Sequence, residues 1–107
     1  MKIVRTKCII QGYKYVTIIS WLFTRPNAII KDDDYNHECI HEKQWYELLI
    51  IFFPIWYVLE FLIRFVCYGF NWDKAYKNLS LEREAYENED NLNYLKERKH
   101  YAWLKYI

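Results

Sequence analysis

The segment His37-Glu38-Cys39-Ile40-His41 spells H-E-x-x-H and constrains the fold of the whole chain. Residues i and i+4 of an α-helix project from the same face, about 6 Å apart, so both imidazoles can reach one metal ion. In this pattern the ion is zinc, and the glutamate that follows the first histidine can take a proton from water. We therefore predict a helix with a zinc site, in which Glu38 is the general base and Cys39 is a packing residue.

The residues around the motif favour a helix. Asp33 or Asp34 can cap its N-terminus, and the negative charge there suits the positive end of the helix dipole. Neither Gly nor Pro occurs from residue 35 to residue 53. We predict a helix over residues 34–52.

A second segment, LEREAYENE over residues 81–89, is also helix-prone, because it lacks Gly, Pro and β-branched residues. Together the two segments resemble the gluzincin zinc peptidases, in which a downstream helix carries E-x-x-A-D. The resemblance implies a zincin-like domain that hydrolyses peptide bonds, with Zn²⁺ bound by His37, His41 and Glu82. Tyr86 stands where that family has Asp, so the carboxylate that would orient a histidine is absent from its usual place.

The chain also resembles a group of small bacterial proteins of similar length. They share an N-terminal hairpin, an N-H-E-x-I-H-x-x-Q-x-x-E-L helix, an apolar aromatic stretch and an E-R-E-A-Y helix. Residues 36–48 and 81–89 carry that likeness here. This second resemblance supports the zinc site and implies no particular substrate.

Glu84 is the alternative third ligand. It lies about 200° around a helix from Glu82, so both carboxylates cannot face one ion. The family register favours Glu82. His100 is the chain's third histidine, and we interpret it as a solvated residue among basic neighbours.

The segment Leu48–Tyr68 is long and apolar enough for a membrane span, with only Glu60 and Arg64 charged. A straight span would, however, place the motif helix and Glu82 on opposite sides of a bilayer whose core is about 30 Å thick. The zinc site therefore requires the chain to reverse, and Pro54 is the available helix breaker.

This requirement sets the predicted helix order. We expect a turn at Phe53-Pro54, a second helix over 55–68, a loop over 69–73 and a third helix from Lys74 that bears Glu82. Its periodicity continues to about residue 105.

The N-terminal third favours strands. Residues 2–10 and 13–24 are rich in β-branched and aromatic residues, and Gln11-Gly12 is a turn signal. We predict a β-hairpin with a short third strand over 28–31. By resemblance to zinc peptidases, residues 13–31 would hold a substrate by strand addition, and a sheet that only covers the helices is the alternative.

Length, charge and composition limit the number of domains, the partners and the environment of the chain. A chain of 107 residues forms one domain, and a net charge of +1 gives no case for nucleic acid as a partner. Three cysteines without framework spacing indicate a reducing, cytoplasmic environment. Aromatic residues make up 21% of the chain, which is typical of surfaces that are apolar at one end and wet at the other. Both a wholly soluble fold and peripheral contact with a membrane surface through Leu48–Tyr68 stay open.

The sequence therefore predicts one α+β domain that is zincin-like and mostly helical. It comprises a β-hairpin or small antiparallel sheet (1–31), the motif and apolar helices turning at Pro54 (34–68), and the ligand helix (74–105). The predicted function is a zinc metallopeptidase acting on a peptide or protein. The alternative is a non-catalytic, membrane-associated interaction protein with a degenerate or structural zinc site. Candidates for stabilising an oxyanion are Tyr86, Tyr94 and His100.

Overall fold

The computed structural model of the protein describes residues 1–9 and 13–107. Over these residues the fold has a small sheet at the N-terminus and helices in the remainder, which confirms the α+β class. The strands are β1 (Lys2–Arg5), β2 (Tyr15–Ile18) and β3 (Trp21–Thr24), and the helices are α1 (Asp32–Glu47), α2 (Phe52–Cys67), α3 (Trp72–Lys77), α4 (Ser80–Asn88) and α5 (Tyr94–Glu97), with a 3₁₀ helix over Ala102–Tyr106.

The sheet is mixed, with the strand order β1-β3-β2. β2 and β3 form an antiparallel hairpin in which Ile18 pairs with Trp21, whereas β1 runs parallel to β3. The turn between β2 and β3 places Ile19 at a φ of 58°, a conformation that is rare for a β-branched residue.

Three details of the predicted sheet are wrong. The first two strands do not pair with each other, because β3 lies between them. The predicted strand over 13–24 is two strands with a tight turn, and residues 28–31 are not a strand. The predicted turn residues Gln11 and Gly12 lie outside the described part of the chain.

α1 begins two residues earlier than predicted. Its N-cap position is Lys31, with no side-chain cap, so the predicted capping by Asp33 or Asp34 is wrong. Asp32, Asp33 and Asp34 instead occupy the first turn, where their charges are favourable next to the exposed N–H groups.

The chain reverses between α1 and α2 at residues 48–51 and not at Phe53-Pro54 as predicted. Leu49 and Ile50 there have φ values of 54° and 64°, and the two helix axes differ in direction by 109°. Pro54 lies within the first turn of α2. The N–H groups of that turn have no partner within the helix, so a proline there removes no hydrogen bond.

The predicted single helix over 74–105 is also wrong. The chain breaks after α3, and α4 starts anew at Ser80. Glu60 of α2 supplies the external cap: its carboxylate accepts the Ser80 N–H at 3.0–3.1 Å and the Ser80 hydroxyl at 2.6 Å. This contact fixes the start of the helix that carries Glu82.

A buried hydrophobic cluster joins α1, α2, α4 and the 3₁₀ helix. Its buried members are Trp45, Phe53, Leu81 and Trp103. The rings of Trp45 and Phe53 stack at 4.2 Å, which packs the end of α1 against the start of α2. Among the described residues no single helix has the length and apolar character of a membrane span, although α1 and α2 pass that test as a bent pair.

Candidate metal centre

His37, His41 and Glu82 meet in the interior. Glu82 Oε1 lies 3.3 Å from His37 Nε2 and 3.1 Å from His41 Nε2, and the two nitrogens are 3.2 Å apart. All three residues are buried, with exposures of 4–7%. They form a group with the composition and spacing to bind a metal ion. The two histidines come from successive turns of α1, and the glutamate comes from the first turn of α4.

The spacing of the three atoms fits a metal ion in size. Zinc lies about 2.0–2.2 Å from nitrogen or oxygen ligands, so the edge between two ligands of a tetrahedral site is roughly 3.3 Å. The observed edges of 3.1–3.3 Å are close to that length. Two neutral imidazoles and a carboxylate are also donors that zinc favours.

Each histidine is held by its other ring nitrogen. His37 Nδ1 donates to Glu89 Oε2 at 2.8 Å, and His41 Nδ1 donates to Gln44 Oε1 at 2.8 Å. These bonds place a proton on each Nδ1 and turn both Nε2 atoms toward Glu82, where an Nε2 atom can either carry a second proton or bind an ion. Glu89 thus supplies the orienting carboxylate that Tyr86 cannot provide, and it does so from the C-terminal end of α4.

Asn36 and Gln44 tie the motif helix to α4. The Asn36 amide donates to the backbone carbonyls of Asn88, Glu89 and Asn91 at 2.9–3.2 Å, which secures the end of α4 beside His37. The fully buried Gln44 amide donates to the Leu81 carbonyl at 2.9 Å, next to Glu82. The two ends of α4 are therefore fastened to α1 on either side of the ligand.

The electrostatics of the three residues favour a cation between them. Burial alone would raise the pKa of Glu82, but the two histidines hold it well below its ordinary range. Burial alone would lower the pKa of His41, but the nearby Glu82 charge raises it to about 10. His41 therefore carries a proton toward Glu82 at neutral pH, and a metal cation at this point would replace that proton.

Tyr57 of α2 holds the second oxygen of Glu82. Its hydroxyl donates to Glu82 Oε2 at 2.9 Å, so only Oε1 faces the histidines. Burial, with the neighbouring Glu82 charge, raises the pKa of Tyr57 and keeps it a neutral donor. This contact leaves one carboxylate oxygen, Oε1, available to the histidines or to an ion.

Glu38 lies at the wall of a cleft that reaches His41 and Glu82. The cleft has a volume of about 750 Å³ and is lined mainly by apolar side chains of β2 and α2, with Glu38, His41 and Glu82 among its polar groups. Glu38 Oε2 accepts a hydrogen bond from the Thr17 hydroxyl at 2.8 Å, which fixes it between α1 and β2. β2 is an edge strand of the sheet, and all four of its residues line this cleft.

Glu84, the alternative ligand, points elsewhere. It is fully buried and accepts hydrogen bonds from Gln44 at 2.9 Å, from Tyr94 at 2.7 Å and from Arg98 at 2.5 Å. Arg98 also donates to both oxygens of Glu47 at 2.7 and 2.8 Å. Glu84 is thus part of an ion-pair cluster that attaches the C-terminal segment to α1.

The three sequence candidates for an oxyanion donor lie in different surroundings. Tyr86 packs edge-on against the His37 ring with centroids 4.6 Å apart, whereas Tyr94 is bonded to Glu84. His100 has a side chain that is 95% exposed and lies 3.7 Å from Glu47. None of the three lines the cleft, and the exposure of His100 agrees with its interpretation as a solvated residue.

Sequence analysis missed Tyr57, Tyr76 and Glu89, which contact or face the site, and it placed Gln44 in the motif helix without giving it a role. Gln44 and Glu89 had a usable signal, since each lies at helical spacing from a ligand and histidine ligands usually bond a second polar group. Tyr57 and Tyr76 had none, because their position in the cleft depends on how α2 and α3 return toward α1.

Searches find no matching family model, no similar curated protein and no similar solved structure. Fold and site together define a class only: a small α+β protein with a buried group of two histidines and one glutamate suited to a metal ion.

Proposed function

We propose that the protein is a zinc-dependent peptidase in which His37, His41 and Glu82 hold the ion and Glu38 acts as general base. The observation that carries the proposal is the juxtaposition of the three donor atoms, 3.1–3.3 Å apart, with a further carboxylate on the wall of the same cleft. The donor set by itself also suits ferrous iron. Glu38, directly after the first histidine, favours hydrolysis and therefore zinc.

Each residue has a defined task in this proposal. A bound zinc ion supplies a Lewis acid that polarises a carbonyl group and acidifies water. Glu38 accepts the proton of the attacking water and returns it to the leaving amine. Thr17 keeps the Glu38 carboxylate at the cleft wall, and Tyr57 holds the second oxygen of Glu82 in place.

The substrate would be an extended peptide with apolar side chains. The cleft walls are mostly aromatic and aliphatic, which suits apolar residues, and an extended chain would lie beside the edge strand β2. The carbonyl of Thr17 already accepts the Trp45 indole N–H at 3.2 Å, so strand pairing would use the peptide groups of Tyr15.

The test compares the wild type with Glu38→Gln, using zinc-loaded protein and a mixture of internally quenched peptides. We expect Glu38→Gln to retain its zinc and to lose about 10²- to 10⁴-fold in turnover, the range for a general base. Glu42→Gln is the matched control, because it removes the same charge one helical turn along α1 and outside the cleft. Equal turnover of Glu38→Gln and wild type would contradict the proposal, as would a zinc-loaded wild type that cleaves no peptide.

A structural role for the metal is the second candidate, favoured by the burial of all three ligands and by their position between α1 and α4. A metal there would cross-link two helices of a small core. In that case chelation would lower the melting temperature of the wild type, and no form of the protein would hydrolyse peptides.

A further inference from the structure

The outer side of α2 is a broad apolar surface. In residues 51–70, all of which the structure describes, the exposed side chains are without exception apolar. They recur every three or four residues, so they share one side of the helix. This surface, here called the α2 face, comprises Ile51, Phe52, Ile55, Leu59, Ile63 and Val66, with exposed fractions of 49–69%.

The α2 face is larger than the apolar patches found on most monomeric proteins. The half-exposed residues on and beside it amount to apolar surface on the order of 1,000 Å², whereas the largest patch of a typical monomer is roughly 300–600 Å². Such a patch marks an interaction site. The two charges of the segment lie elsewhere: Glu60 is buried against Ser80, and Arg64 Nε bonds Glu60 Oε2 at 2.9 Å.

The chemistry of the α2 face favours lipid over protein. A specific protein interface carries about one hydrogen bond per 100–200 Å², but the α2 face offers no polar side chain. The C-terminal end of α2 leads into residues typical of a membrane–water boundary, namely Tyr68, Trp72 and Lys74. Lys74 Nζ lies 4.7 Å from the centre of the Tyr68 ring and remains exposed, so it is placed to meet anionic headgroups.

We propose that the α2 face docks the protein on a lipid bilayer with anionic headgroups, with α2 lying in the membrane plane. α2 has 16 residues and is therefore about 24 Å long, shorter than the ~30 Å hydrocarbon core. Its opposite side is engaged by the protein through Phe53, Tyr57 and Glu60. One side of the helix faces lipid and the other faces the metal centre, which is the arrangement of an interfacial helix.

Docking would also bring the cleft to the membrane. Val58 and Leu62 are half exposed beside the α2 face and at the same time line the cleft. A peptide that lies at the bilayer surface would therefore enter the cleft without crossing open water. This consequence rests on the proposed peptidase function, whereas the docking itself does not.

The test measures partition of the full chain to vesicles of phosphatidylcholine and phosphatidylglycerol by co-sedimentation, with no hydrolysis assay involved. The wild type is expected to bind, and Leu59→Glu is expected to bind about tenfold or more weakly, because a leucine that would enter the bilayer is replaced by a charge. Leu92→Glu is the matched control. Leu92 has a similar exposure (57% against 52% for Leu59) but lies outside α2, so this variant should bind as the wild type does.

Circular dichroism and thermal melting establish that Leu59→Glu is folded, which we expect because the side chain is exposed. A wild type that stays in the supernatant, or equal binding of both variants, overturns the proposal. A wild type that is a dimer in the absence of lipid, becomes monomeric on Leu59→Glu and ignores vesicles shows instead that the α2 face is an interface between two copies. Vesicle binding by a protein without peptidase activity would refute only the proposed function.

Discussion

Replacing Glu89 by glutamine should weaken zinc binding by about tenfold. Glu89 Oε2 accepts the His37 Nδ1 proton at 2.8 Å, and its negative charge makes the opposite ring nitrogen a better ligand. Loss of such a partner costs about 10- to 100-fold in metal affinity. Because the Glu89 side chain is 24% exposed and glutamine can still accept the hydrogen bond, we expect the lower end of this range, about 1.4 kcal/mol.

The assay is competition for zinc against a chromophoric chelator at constant pH, which gives the dissociation constant of each variant. Glu87→Gln is the control: it removes the same charge two residues away, and Glu87 is exposed without a polar partner among the described residues. The control should change the dissociation constant by less than about twofold, as expected for an exposed charge. Equal dissociation constants for the two variants would refute the assignment of Glu89 as the partner of His37.

Three further substitutions test the supports of the site. Tyr57→Phe should keep the fold and weaken zinc binding several-fold, measured in the same competition assay, because Glu82 loses the donor to its second oxygen; unchanged affinity would contradict this role. Glu60→Gln should lower the free energy of unfolding by about 1–2 kcal/mol in urea titrations, since the helix that bears Glu82 loses its charged cap; no change would refute it. Arg98→Met should lower the free energy of unfolding by about 3–5 kcal/mol, because it leaves the buried carboxylates of Glu47 and Glu84 without their cation. Burial would raise the pKa of Glu47, but Arg98 holds that pKa below its ordinary value of about 4.5. The melting temperature of the wild type should therefore fall as the pH drops below about 4.5, and that of Arg98→Met should fall less over the same interval. Parallel pH profiles of the two melting temperatures would contradict this.

The central part of the site was accessible from the sequence because it depends on local spacing. His37 and His41 lie one helical turn apart in any helix, and the motif itself names Glu38 as their neighbour. Glu82 was identified only by resemblance, since nothing in the spacing of two distant segments states that they meet. The chain reversal was inferred from the requirement that they share one ion, and a reversal is present, several residues earlier than predicted.

The position of the reversal illustrates why boundaries are hard to predict. The sequence prediction places the turn at Pro54 itself, yet proline is favoured within the first turn of a helix, and the break therefore lies a few residues upstream. The residues that make the break, Leu49 and Ile50, adopt positive φ values without any glycine. Backbone hydrogen bonds close the turn, with the Ile50 N–H donating to the Trp45 carbonyl at 2.8 Å, and no glycine or asparagine marks it in the sequence.

The sheet topology was inaccessible for a related reason. The β2–β3 turn contains Ile19 and Ser20, which lack the glycine or asparagine that marks a tight hairpin, so the two strands were predicted as one. The parallel pairing of β1 with β3 places β3 between β1 and β2, an order that alternation of side chains cannot reveal.

Metal content of the purified protein tests the central claim most directly. Elemental analysis by mass spectrometry should find about one zinc per chain in the wild type and in Glu87→Gln, and almost none in Glu82→Gln. Urea titration of the same samples shows whether each variant is folded. A folded Glu82→Gln that retains a full complement of zinc, or a wild type that binds no zinc when the metal is supplied, would contradict the account.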